Sequence, residues 1–104
     1  MKDQFCQILI SAVNRKEANK IADSLVIKKM VAGTLITKGP SRYWWNNQIV
    51  EKEYYNISAF SLIKNKQKII IEVKKLHSDK CPIIAFFKMD GNKEFLNWVK
   101  EFTK

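Results

Sequence analysis

Between Met30 and Ser61 the chain carries two long runs rich in β-branched and aromatic residues, separated by a single Asn46-Asn47 pair. Asparagine tolerates the positive φ angles of a two-residue type I′ turn, so the pair predicts a β-hairpin with strands over 30–45 and 48–61. A two-residue loop also fixes the register, because cross-strand partners then have numbers that sum to 93. Trp44 faces Ile49, Tyr43 faces Val50 and Arg42 faces Glu51, each a favourable pair worth a few tenths to about 1 kcal/mol. Neighbouring strand residues point to opposite faces, so Trp44 and Trp45 cannot both enter one core.

The length of this ribbon is a second constraint. The fourteen residues from Gln48 to Ser61 extend roughly 46 Å at about 3.3 Å each, whereas a domain of about 100 residues is only about 33 Å across. The tip is expected to overhang or to bend, and Pro40, which cannot donate to a ladder, marks a place for a bend or an edge. An overhanging ribbon with open edges and bare rings invites aggregation unless it is covered. Identical neighbours in a closed oligomer would cover it. The alternative is a sheet so strongly coiled that both indoles are buried within one subunit.

The flanking segments supply the rest of one domain, residues 1–104. Gln4 to Val13 reads as a strand, and Asn14-Arg-Lys-Glu17 is a helix-start signal in which cap and acid satisfy orphan amides reciprocally. Ala18, Ile21, Ala22, Leu25 and Val26 then form one helical stripe. A second helix is predicted from about Asn65 to His77, with Ile69, Val73 and Leu76 inward. Pro82 separates it from a strand over Ile83 to Phe87, and Asp90-Gly91-Asn92 leads into a last helix whose buried stripe is Phe95, Trp98, Val99 and Phe102. The order β-α-β-β-α-β plus a terminal helix is an α+β, ferredoxin-like sandwich with a long central hairpin.

Composition narrows the function classes. With 46% hydrophobic residues and only three Gly and two Pro, the chain is neither disordered nor collagen-like. No apolar run approaches the roughly 18 residues of a membrane helix, and the start Met1-Lys-Asp-Gln-Phe-Cys lacks the features of a signal peptide. A cytoplasmic protein with no membrane partner is expected. Cys6 and Cys81 lie 75 positions apart and form no C-x-x-C pair, so reduced thiols are expected. The net charge of +9 suggests nucleic acid, but Arg15 and Arg42 are the only arginines and the lysines run from Lys2 to Lys104. Phosphate and base-edge recognition favours the guanidinium, which argues against that partner.

His77, Asp79 and Cys81 alternate, so in an extended segment imidazole, carboxylate and thiolate would share a face, a donor set suited to copper or zinc. The plainer reading has His77 at a helix end favoured by the dipole, Asp79 as a loop residue and Cys81 buried beside Pro82. Catalytic constellations are missing. The single His would have to carry any triad, and there is neither a nucleophile elbow nor a glycine-rich phosphate loop. Glu51 and Glu53 share a strand face, but Glu51 stands opposite Arg42. An enzyme is the least supported class.

Ser41-x-Tyr43-x-Trp45, followed by the turn and Ile49, resembles the Ser-x-Tyr-x-Trp-x-Gly-x-Ile signature of the CutA divalent-cation-tolerance proteins, with Asn47 where the Gly usually stands. The resemblance continues through Ala18 to Val26, Glu51-x-Glu53, His77 with Pro82 five residues on, and Phe95-Leu-x-Trp98. It implies a ferredoxin-like subunit, a homotrimer interlocked through the long hairpin, and an association with copper or other divalent cations. Ser41, Tyr43, Trp44, Trp45, Ile49, Glu51, Glu53 and Trp98 are then expected at the subunit interface or cleft. The chain departs from the family at Val31-Ala32-Gly33-Thr34, where a Cys is usual, at Ser61-Leu62 for Lys-Thr, and in the segment from His77 to Ile83. A PII-like trimeric regulator, binding a small anion between subunits, is the rival reading.

Overall fold

The computed structural model describes residues 4–104. Its elements are β1 (Phe5–Ala12), α1 (Arg15–Ile27), β2 (Gly33–Trp45), β3 (Gln48–Leu62), a 3-10 turn (Ile63–Asn65), α2 (Lys66–Leu76), β4 (Ile84–Met89) and α3 (Lys93–Phe102). The sheet is antiparallel in the order β2-β3-β1-β4, the arrangement of a ferredoxin-like α+β fold.

The hairpin register is the one its turn dictates. Asn46 and Asn47 adopt φ of 50° and 61°, and partners run without slippage from Trp45↔Gln48 to Gly33↔Phe60. Pro40 sits within this ladder opposite Glu53 and introduces no bulge. It is tolerated because β2 is an edge strand. Met30 to Ala32, expected at the start of this strand, instead form the turn after α1.

Alternation along the strands sorts side chains into two faces. Cys6, Ile8, Ile10 and Ala12 of β1, with Ile57 and Ala59 of β3, meet Ile21 and Leu25 of α1 and Ile69 and Val73 of α2, all fully buried. Burial of each such aliphatic side chain contributes about 1.5–3 kcal/mol. Val26, expected on the buried stripe, is 39% exposed. Asn14 caps α1 by accepting the Glu17 amide at 2.8 Å. The helix ends with Lys29 in the left-handed region and the Met30 amide donating to the Leu25 carbonyl at 3.0 Å.

The third helix packs on the opposite face of the sheet. Phe95 meets Phe60 edge-on at 5.3 Å, and Trp98 lies over Gly33, where an added Cβ would stand 2.6 Å from the ring. Glycine is required at 33 for this close approach. Of the expected stripe, Val99 is fully buried, while Trp98 and Phe102 are 39% and 44% exposed. A ten-residue helix at one end of the sheet has too little protein above it to cover rings at its margins.

Because β1 pairs with β3 only over residues 55–62, the hairpin beyond Lys38 and Tyr55 is a bare two-stranded ribbon. It makes the subunit 46 Å long against widths of 23 and 21 Å.

Candidate functional site

The ribbon carries different chemistry on its two faces. On the face continuous with the helix layer, Trp44 is 72% exposed beside Ile49 at 57%. Arg42 binds Glu51 at 2.8 Å and Lys38 approaches Glu53 at 3.8 Å, so both glutamates are spent on exposed ion pairs worth about 0–1 kcal/mol each. On the other face Ser41 donates to the Lys52 carbonyl at 2.8 Å, Tyr43 packs edge-on to Tyr54 at 5.8 Å, and Trp45 remains 44% exposed. Neither indole is tucked inside, so the internally coiled alternative does not describe this chain.

Tyr54 connects the ribbon to the loop after α2. Its hydroxyl donates to Asp79 at 2.6 Å. Burial and then this bond to an anion push the phenol above its ordinary value. Between the ribbon and the loop lies an open groove of about 1090 Å³, lined by Tyr43, Trp45, Tyr54, Asn56, Asp79 and Cys81 among others. The Asn56 side-chain oxygen is buried there without a hydrogen-bond partner.

The loop is held by a buried junction that sequence reasoning saw only in part. The Glu17 carboxylate accepts the Val13 amide at 2.8 Å, where a capping box would return to Asn14, and also the Ser78 amide at 2.6 Å. Burial pushes this carboxyl up, but the hydrogen bonds it accepts from Val13 and Ser78 together hold it below the ordinary range. The His77 side chain is fully buried, 3.5 Å from Glu17. Its Nε2 lies 2.6 Å from the Ser11 carbonyl and its Nδ1 accepts the Asp79 amide at 3.0 Å. A carbonyl only accepts and an amide only donates, so the pattern assigns the neutral tautomer with hydrogen on Nε2.

This geometry corrects the metal trio. Both His77 nitrogens are committed to backbone, Asp79 holds Tyr54, and Cys81 is exposed. The chain bends at residues 79–81, which destroys the alternation that would have put the three groups on one face. Among the described residues no group of three or more His, Cys, Asp or Glu is gathered for a metal ion. The set does not fit a metal as a set.

A second buried carboxylate joins the helices. Glu72 accepts from Ser24 at 2.5 Å and from Lys28 at 2.8 Å, with Lys75 at 3.3 Å. These partners lower its pKa to about 2.

The family profile described as CutA1 divalent ion tolerance protein matches residues 6–102, which takes in every strand and helix built above except Phe5 at the start of β1. The chain belongs to this family. The divalent-cation tolerance protein CutA of Archaeoglobus fulgidus is 32% identical over 95 residues, covering 90% of this chain and 93% of the relative. The CutA of Thermus thermophilus is 31% identical over 98 residues, covering 92% and 95%. A solved structure of the Archaeoglobus fulgidus protein superposes with a TM-score of 0.93 at 30% identity, over 96% of this chain and 99% of that one.

The first of the departures noted above falls at residues 31–34. Gly33 stands there, and the Trp98 ring occupies the space a side chain would need. Ser61, at another departure, is buried and donates to the Met30 carbonyl at 2.6 Å, with Asn65 beside it, so it anchors the turn after α1. No described helix is long and apolar enough to cross a membrane. The Archaeoglobus structure is described as periplasmic, which does not match the cytoplasmic setting expected above. Of the functional residues, Tyr54 could have been found from the hairpin register, which places it on the Tyr43 face. The reach of Glu17 to Ser78, 61 residues away, had no local signal.

Proposed function

We propose that this chain serves divalent-cation tolerance by binding rather than catalysis, and does so as a homotrimer in which neighbouring subunits cover one another's hairpins. The observation that carries this reading is the bare ribbon, with Trp44 72% exposed at its tip and an open groove at its root. Apolar surface arranged in this way marks an interaction site, and a closed ring of copies covers it without leaving an edge strand free. The relatives' names as divalent-cation tolerance proteins support the metal part of the reading.

The ion we propose is copper or another divalent cation. Cys81, exposed at the groove, is the soft donor available for it, whereas His77 is not available as a ligand. The test combines sedimentation of the full chain at micromolar concentration with calorimetric titration by copper, zinc and an adenine nucleotide. A trimer whose copper affinity falls in Cys81→Ala and persists in His77→Gln is expected. A well-behaved monomer would end the assembly reading, and nucleotide uptake without metal uptake would move the protein to the PII-like class.

A further inference from the structure

The lysines spread along the sequence are concentrated in space. Residues 15–29 and 63–76, the helical layer and its approaches, hold ten of the nineteen cations and three of the ten acids, hence seven of the nine net positive charges. Two of those acids, Glu17 and Glu72, are buried, and Asp23 is the one left on the surface. Lys28 and Lys75 are drawn inward to Glu72.

Helical spacing of about 100° per residue identifies what stands outermost. On α1, Lys16, Lys20, Asp23 and Ile27 lie opposite the buried Ala18, Ala22 and Leu25. On α2, Gln67, Ile71 and Lys74 lie opposite the buried Ile69 and Val73. Ile27 is 77% exposed and Ile71 66%. Ile71 is flanked one turn away by Lys68, Lys74 and Lys75. A single exposed aliphatic residue is ordinary. Here each helix places one at the crest of a face whose outermost charges, Asp23 apart, are lysines.

We propose that the outer face of α1 and α2 docks on an anionic lipid surface. Ammonium groups on flexible stems reach phosphate headgroups, and the two isoleucines enter the boundary between headgroup and acyl chain. A polynucleotide is the less suited occupant. Single strands are held by stacking on rings and base edges are read by planar donors, and this face has no aromatic residue and one arginine, Arg15. The face lies on the opposite side of the sheet from α3.

The experiment is co-sedimentation of the full chain with phosphatidylcholine vesicles and with vesicles of phosphatidylcholine and phosphatidylglycerol in equal parts, at low ionic strength. Binding is expected on the anionic vesicles alone. The double variant Lys20→Glu, Lys74→Glu is expected to lower it by about tenfold or more, given roughly 1 kcal/mol per basic residue at the surface. Lys93→Glu, in α3, carries the same kind of charge reversal on the far side of the sheet and is expected to leave binding nearly unchanged. Ile27→Ser with Ile71→Ser is expected to make the remaining binding collapse at a lower salt concentration. Equal loss in Lys93→Glu would reduce the effect to net charge and overturn the proposal. So would equal binding to neutral vesicles, or duplex DNA bound more tightly than vesicles with no effect of the isoleucine variants. Circular dichroism of each variant confirms that folding is unchanged.

Discussion

The base of the sheet and its overhang belong to one ladder with one register, yet they meet opposite fates. At the base, Ile8, Ile10 and Ile57 are fully buried; at the tip, Trp44 and Ile49 are 72% and 57% exposed. Backbone pairing is the same in both regions. The difference is that helices, β1 and β4 end where the ribbon goes on. Strand propensity and turn chemistry build a hairpin of any length, and only a covering layer makes part of it a core.

Truncation on each side of that divide has the largest expected effect. Ile57→Ala at the base should cost about 2–5 kcal/mol in denaturant unfolding, through lost transfer energy and a residual cavity. Trp44→Ala should leave the subunit's own fold intact and act on sedimentation instead. Equal losses of subunit stability at both sites would erase the contrast.

Next is the buried junction that ties the base of the ribbon to the loop. Glu17→Gln removes the charged acceptor for the amides of Val13 and Ser78 and should cost about 1.5–3 kcal/mol, with hydrogen exchange rising at Ser78 and Asp79 before it rises in β3.

The pH dependence is a third measure. Glu72 titrates near about 2 in the folded chain against an ordinary 4.5, and Glu17 is also lowered. The folded state therefore binds fewer protons than the unfolded state across this window. Their contribution is complete above about pH 4.5 and is lost as pH falls toward 2. Glu72→Gln should flatten this acid limb, as read by thermal unfolding at pH 5 and pH 3, and should cost about 1–2 kcal/mol at neutral pH. The smallest effect belongs to the tip. Asn47→Gly at φ 61° should stabilise by a few tenths of a kcal/mol, since glycine meets that angle without steric cost.

The hairpin was legible because its information is local: two residues with positive φ set every pairing down to Gly33 and Phe60. The α1 cap and the stripes of α1 and α2 were legible for the same reason, with Val26 the exception. The placement of α3 was not. An apolar stripe of Phe95, Trp98 and Val99 says that one face is covered and does not say by which side of the sheet. His77 was read as a ligand or a dipole partner because its real contacts, Ser11 and Glu17, lie 66 and 60 positions away. The metal trio failed on a single bend at residues 79–81, which no spacing rule foresees.

The meeting of Gly33 and Trp98 constrains what position 33 can accept. Any side chain at 33 must evict an indole first. Gly33→Cys alone would therefore loosen the terminal helix, and a smaller residue at 98 has to arrive before or with it. Two sites 65 positions apart in the chain are tied to each other by one missing carbon.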